Sequence, residues 1–96
     1  MLEYIFEFFA VFILILVILT TKHWLLIGST IGILLLLGSK FYEPSLNPIG
    51  SLAHYINGEI SLSELVLFIS AETLGSVAAI IVYIMFLKKP NLKQKK

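Results

Sequence analysis

The sequence predicts an all-α integral membrane protein with three transmembrane helices and one re-entrant half-helix. Of its 96 residues, 58% are hydrophobic, which is more apolar surface than so small a soluble domain can bury. The apolar residues form three long runs, and a short segment of helical spacing lies between the second run and the third. Cysteine is absent and histidine is rare, so we expect no disulfide, no metal site and no cofactor.

The first two helices are expected over residues 4–21 and 24–39. Glu7 is the only charged residue in the first run, and the second run carries no charge. Both runs are marginal against the roughly 17–20 apolar residues that a crossing needs, and each reaches that length with its flanks. Lys22 and Trp24 stand at the joint between them, where a membrane interface favours such side chains. We therefore expect a tight hairpin that is anchored in the interface.

The half-helix is expected over residues 48–56. Asn47 is a good N-cap, and Pro48 suits the first helical position because its missing N–H would be unpaired there anyway. The pair Asn57-Gly58 then ends the helix. Nine residues extend about 13 Å, which is about half of a ~30 Å hydrocarbon core. The free N–H groups of its first turn indicate a polar pathway, and a half-helix that lies in the interface is the open alternative.

The third membrane helix is expected over residues 62–87. Ser61 and Glu64 have the spacing of a capping box, and Glu72 is the only charged residue inside the apolar run that follows. Residues 88–96 are expected to form a basic, disordered tail. Its lysines are expected to anchor the topology or to bind anionic lipid headgroups, and no nucleic-acid binding is expected because no aromatic pattern accompanies them.

These segments together resemble one repeat of an aquaporin, a member of the major intrinsic protein family. Asn47-Pro48-Ile49 is similar to the Asn-Pro-Ala motif that opens the half-helix of that family. The stretch NGEISLSELVLFISAETLGSVAA resembles the approach to its third helix. The first and second helices of the family are similar to FEFFAVFILILVIL and LLIGSTIGILLLLG. The resemblance reaches about residue 87 and implies a single aquaporin-type repeat.

The resemblance implies a channel for water or small neutral solutes. In the family, two inverted repeats bring their half-helices together at the middle of the membrane. By resemblance, Asn47 would donate hydrogen bonds to the solute and Pro48 would fix the half-helix. Glu7 would brace the preceding loop by accepting backbone N–H bonds. The pore-lining backbone carbonyls would be those of Pro44, Ser45 and Leu46.

The chain also departs from the family pattern. Ile49 replaces a small alanine, while Glu43 and Pro44 stand where glycine and alanine are usual. Gly50 takes the filter-equivalent position after the motif, where a second repeat has arginine, and the chain contains no arginine. Glu72 stands where a first repeat has glutamine, and it is either buried and neutral or bonded across a subunit contact. These departures leave the passing solute unpredicted.

Small residues are spaced four apart on two of the helices. Such faces let membrane helices approach closely, either within the chain or against another copy. The second helix has Gly28 and Gly32, and the third has Ala71, Gly75 and Ala79. His54 shares a face with Asn47 and is expected to be a polar group at the pore mouth or in the interface. We expect no catalytic residues and no enzyme, since no nucleophile and base can be placed together.

One repeat cannot enclose a pore, so a second copy or a complementary half-channel is the expected partner. Lys22 and the lysines after residue 87 lie on one side of the membrane, which predicts a cytoplasmic C-terminal tail. An antiparallel homodimer needs both orientations, and the sequence leaves that choice open. The alternative function is a non-conducting membrane structural or partner-binding protein derived from an aquaporin repeat.

Overall fold

A computed structural model describes residues 1–89, and this part of the chain contains helices and no strands. The prediction of an all-α fold is confirmed. The helices are α1 (Leu2–Thr21), α2 (Trp24–Gly38), α3 (Pro48–Ile56) and α4 (Leu62–Val82), and α4 continues as a π-helical segment, Tyr83–Leu87. Of the expected tail, residues 90–96 lie outside the described residues.

The centre of the fold is the contact between α1 and α4. The rings of Tyr4 and Phe68 lie 4.7 Å apart near the start of both helices. Further along, the backbone of Phe8 and Phe12 faces Gly75. The two helices therefore run in the same direction. A Cβ atom on Gly75 would come closer than 3.0 Å to the Phe8 carbonyl oxygen, so the crossing is close enough to require glycine.

The second helix folds back on α1 as a hairpin. Lys22 ends α1 in the left-handed region with φ of 55°, and the His23 ring then caps α2, its Nδ1 accepting the N–H of Leu25 at 3.2 Å. Among the described helices, α2 packs against α1 alone. Its end at Gly38 is held tightly, because a Cβ atom there would lie 2.8 Å from the Phe6 ring.

Two helices of the described residues are long and apolar enough to cross a membrane. They are Leu2–Thr21 and Leu62–Leu87. The expected helix 24–39 is shorter than a full crossing, because α2 has 15 residues and extends about 22 Å. It ends at Gly38 because the next residues turn back: the N–H groups of Phe41 and Tyr42 bond the Gly38 carbonyl, and their rings pack on Phe6.

Helix α3 starts beside the middle of α4 and runs back towards the start of α4. Ser51, in its first turn, bonds Glu72 at 2.8 Å, and Glu72 lies about 15 Å along α4 from Leu62. Past its last turn, Glu59 shares a cleft with Glu64 in the first turn of α4. An irregular loop, residues 43–46, leads to Asn47, which caps α3.

Candidate functional site

The candidate site is the loop before α3, residues 43–46, and the carboxyl group of Glu7 holds it against α1. Glu7 is fully buried, with 0% of its surface exposed. Its Oε1 accepts the N–H of Leu46 at 3.1 Å, and its Oε2 accepts the N–H of Ser45 at 3.1 Å. The Tyr42 hydroxyl donates to the same Oε2 at 2.5 Å. Backbone donors that this non-helical segment leaves unpaired are thus satisfied by one carboxyl group.

Aromatic rings shield this carboxylate from the surroundings. The Tyr42 ring stacks on Phe68 with centroids 5.9 Å apart and planes 7° apart, and it meets Phe6 edge-on. Apolar rings lower the local dielectric, which strengthens the hydrogen bonds that Glu7 accepts. Sequence analysis passed over Tyr42 as a functional residue, since a tyrosine next to a membrane helix is usually read as an interfacial anchor.

Leu46 is a strained residue at the centre of the loop. It has φ of 66°, a left-handed conformation that costs a residue with a side chain about 1–3 kcal/mol. Its side chain is buried with Val11 and Leu14 in the core cluster. The strain directs the Leu46 N–H to Glu7 and places Asn47 at the next position, where it caps α3.

A second buried carboxyl, Glu72, ties the loop to α3 and α4. Its Oε2 accepts from the hydroxyls of Ser51 at 2.8 Å and Ser45 at 3.1 Å, and these two hydroxyls lie 2.7 Å apart. Its Oε1 is buried without a hydrogen-bond partner among residues 1–89. Ser45 links the two carboxyls, because its N–H donates to Glu7 and its hydroxyl donates to Glu72. Sequence analysis singled out both glutamates but missed the role of Ser51.

The motif residues occupy the exposed beginning of α3. Asn47 Oδ1 accepts the N–H of Gly50 at 2.6 Å, and Asn47 Nδ2 donates to the Ser45 carbonyl at 3.2 Å. The second hydrogen of that amide remains available to a ligand. Pro48 and Ile49 follow it, and Ile49 is 79% exposed. The Ser45 carbonyl, expected to line a pore beside those of Pro44 and Leu46, is engaged by Asn47 in this conformation.

Gly50 is a packing position in this structure. A Cβ atom there would lie 2.8 Å from Ser45 Cβ and 3.1 Å from the Ser45 carbonyl oxygen. The loop therefore folds onto the first turn of α3 at the one position that lacks a side chain. A filter side chain at this point would displace Ser45 and its bond to Glu72.

The two small-residue faces have different surroundings. Gly75 and Ala79 are buried, and Gly75 lies directly against the backbone of α1. Packing within the chain accounts for that face, to which the half-buried Ala71 belongs. Gly28 and Gly32 are exposed, and a Cβ atom on either would meet open space.

The C-terminal end of α3 is polar and acidic. The His54 ring and the Asn57 amide both bond the carboxylate of Glu59, and these bonds, the one from His54 first, hold the pKa of Glu59 below its usual value. A cleft of about 170 Å³ lies beside this end. Its lining includes four glutamates, Glu3, Glu43, Glu59 and Glu64.

No family model matches the sequence, and comparisons with curated proteins and with solved structures found no match. The function must therefore be argued from the site. The site has the Asn47 amide at the exposed start of α3 and the buried carboxyls of Glu7 and Glu72 next to the preceding loop. An acidic cleft lies at the other end of the same helix.

Proposed function

We propose that this chain is a half-size aquaporin-like channel subunit. It pairs with a second half-repeat to form a pore for water or small neutral solutes. The observation that carries the proposal is the pair of hydrogen bonds from Ser45 and Leu46 to Glu7, which holds a non-helical loop against an apolar helix with Leu46 buried. Non-helical backbone at membrane depth persists only where protein or water covers it, and a pore wall offers both.

The direction of α3 supports a re-entrant half-helix. It starts beside Glu72, about 15 Å along a helix of 26 residues that is about 39 Å long. It ends near Glu64, at the start of α4, which is also where the loop before α3 begins. The positive end of its dipole therefore points into the middle of the membrane, where it disfavours cations and leaves neutral solutes unaffected.

Besides α1 and α4, we assign a membrane crossing to α2, because of the way it connects them. Since α1 and α4 run in the same direction, the chain must return from the end of α1 to the start of α4. In about 22 Å, α2 makes that return. Lys22 and Lys40 flank it, and their long side chains reach the headgroups while the bilayer thins slightly around the helix.

The exposed start of α3 is the pairing surface. Asn47 would present a free amide hydrogen to lipid if the chain stood alone, and an unpaired polar group in hydrocarbon is costly. Ile49 adds a large apolar side chain at the same point. A second half-repeat, either another copy or a complementary half-channel, covers both residues and completes the passage.

The lysines fix the proposed orientation. Lys22 at the end of α1 and Lys88 at the end of the last helix lie on one side, since α1 and α4 run in parallel. The positive-inside rule places that side, with the C-terminal tail, in the cytoplasm. An impermeant thiol reagent applied to a Lys88→Cys variant in intact cells then leaves it unlabelled, whereas labelling of half the molecules indicates dual topology.

Osmotic shrinking of proteoliposomes tests the proposal. Asn47→Asp keeps the oxygen that caps Gly50 but removes the amide donor and adds a negative charge. Ser61→Asp is the matched control, because it places the same charge at the N-cap of α4. We expect the wild-type chain and Ser61→Asp to shrink faster than empty vesicles, and Asn47→Asp to shrink more slowly than either. Wild-type shrinking at the empty-vesicle rate, with the chain folded and inserted, contradicts a self-assembled water pore and favours a non-conducting membrane protein.

Single-cysteine cross-linking tests the pairing independently, since the chain contains no cysteine. Ile49→Cys puts a thiol at the proposed contact, and Ile33→Cys puts one on exposed α2, where 57% of the native side chain is accessible. Oxidation in a bilayer should give a covalent dimer from Ile49→Cys alone if two copies pair. A dimer from neither variant contradicts pairing of identical chains through this end of α3.

A further inference from the structure

Two buried carboxyl groups meet between α1 and α4. Glu7 and Glu72 are 0% and 1% exposed, and both bond Ser45: its N–H donates to Glu7 Oε2 at 3.1 Å and its hydroxyl donates to Glu72 Oε2 at 3.1 Å. Two carboxylates that share one serine inside an apolar core repel one another strongly, so we expect one of them to hold a proton. The question is which of the two carries it.

The hydrogen bonds assign the proton to Glu72. Both oxygens of Glu7 are occupied by donors, two backbone N–H groups and the Tyr42 hydroxyl, and such an acceptor is best when ionised. Glu72 accepts two hydroxyl bonds at Oε2, while its Oε1 has no donor among residues 1–89. An ionised oxygen buried without a donor is costly, whereas a protonated carboxyl becomes a donor to its neighbour.

We propose that Glu7 and Glu72 form a proton-binding site, in which protonated Glu72 donates a hydrogen bond to ionised Glu7. The proton joins α4 to α1 at the level where the loop meets α3. Loss of that proton places two negative charges side by side and pushes apart the groups that hold Ser45 and Ser51. The start of α3 therefore loosens as the pH rises. This site holds whether or not the chain conducts, because it follows from contacts within one chain.

No neighbouring charge replaces the proton. Among residues 1–89, neither carboxyl forms an ion pair with a lysine, a histidine or the N-terminus. The groups that face the pair are Tyr42, which precedes the loop, and the uncharged hydroxyls of Ser45 from the loop and Ser51 from α3. None of the packed helices of this part of the chain brings a cation, so a second ionisation would leave the pair uncompensated.

Infrared spectroscopy of the chain in lipid vesicles tests the proposal directly. The sequence has six acidic side chains, all glutamates, and the C=O stretch of a protonated carboxyl is well separated from carboxylate bands. We expect the wild type at pH 7 to show the band of one protonated carboxyl. Glu72→Gln should remove it, and Glu43→Gln, which changes an exposed loop glutamate, should leave it. Absence of the band in the wild type, or its survival in Glu72→Gln, would overturn the proposal.

A titration keeps the test independent of any variant. The wild-type band should disappear reversibly as the pH is raised, and a band that persists in strongly alkaline buffer would contradict a site that releases its proton. The free energy of unfolding, measured at several pH values from 7 to 9, adds a second readout. Glu72→Gln supplies an amide donor in place of the proton and should keep its stability over this range, while the wild type loses stability. Identical pH profiles for the two would also overturn the proposal.

Discussion

Gly75→Ala should separate the two central helices. A Cβ atom at Gly75 would lie under 3.0 Å from the carbonyl oxygen of Phe8, and ordinary van der Waals contact begins at 3.4 Å. The obstructing atom belongs to the α1 backbone, so no side chain can rotate away to make room. The helices must move apart by about 1 Å to accept the methyl group.

The structure sets the expected cost. Overpacking a tight contact costs about 1–3 kcal/mol, and the better helix propensity of alanine returns somewhat under 1 kcal/mol. Glu7 precedes the clash by one residue in α1, and Glu72 lies one turn before it in α4. Ser45 bonds both carboxyls, so its bonds lengthen with the crossing, and a hydrogen bond to a charged group contributes up to about 1.5–3 kcal/mol. We expect a net loss of about 2–4 kcal/mol in the free energy of unfolding.

The assay is denaturant unfolding in detergent micelles, followed by circular dichroism, with the same substitution at two other glycines as controls. Gly28→Ala and Gly32→Ala place the methyl group in open space, so we expect unchanged or slightly increased stability. Wild-type stability of Gly75→Ala would refute the close crossing of α1 and α4. An equal loss in all three variants would show that the effect has nothing to do with that contact.

Two further predictions concern the ends of the site. Tyr42→Phe keeps the ring but removes the hydroxyl that donates to Glu7, so the free energy of unfolding should fall by about 1–3 kcal/mol, and unchanged stability would contradict that bond. His54→Ala should raise the pKa of Glu59 towards its usual value in an NMR titration. Because the pKa of Glu59 is lowered in the folded chain, its contribution to stability is present above the unfolded pKa and is lost as the pH falls through the lowered one. An unchanged Glu59 pKa in His54→Ala would rule out the assigned bond.

Local chemistry made the beginnings of α3 and α4 predictable. Asn47 and Pro48 set the first turn of α3, and Ser61 and Glu64 form the capping box that starts α4, all within a few residues of the chain. The end of α2 was different. It depends on aromatic rings that pack back on Phe6, more than thirty residues earlier in the chain, and no local pattern reports such a contact.

In the candidate site, too, some residues could be recognised in the sequence, whereas the contacts between them could not. Glu7 and Glu72 stand out in the sequence because each is a lone charge in an apolar run. That both lie beside Ser45, whose N–H bonds Glu7 and whose hydroxyl bonds Glu72, depends on the parallel packing of helices far apart in the chain. A sequence motif also cannot tell a glycine at a helix crossing from one that faces open space, because the distinction lies entirely in the partner helix.

The strained conformation of Leu46 makes the start of α3 depend on Glu7. A left-handed leucine costs about 1–3 kcal/mol, and burial of its side chain returns about 1.5–3 kcal/mol. Its N–H bond to the Glu7 carboxyl adds about 0.5–3 kcal/mol, and these two gains together keep the strained conformation. Without a carboxyl at position 7 the second gain is lost, and strain and burial nearly cancel. The start of α3, and with it the placement of Asn47, therefore depends on Glu7, one helix away and 39 residues before Leu46.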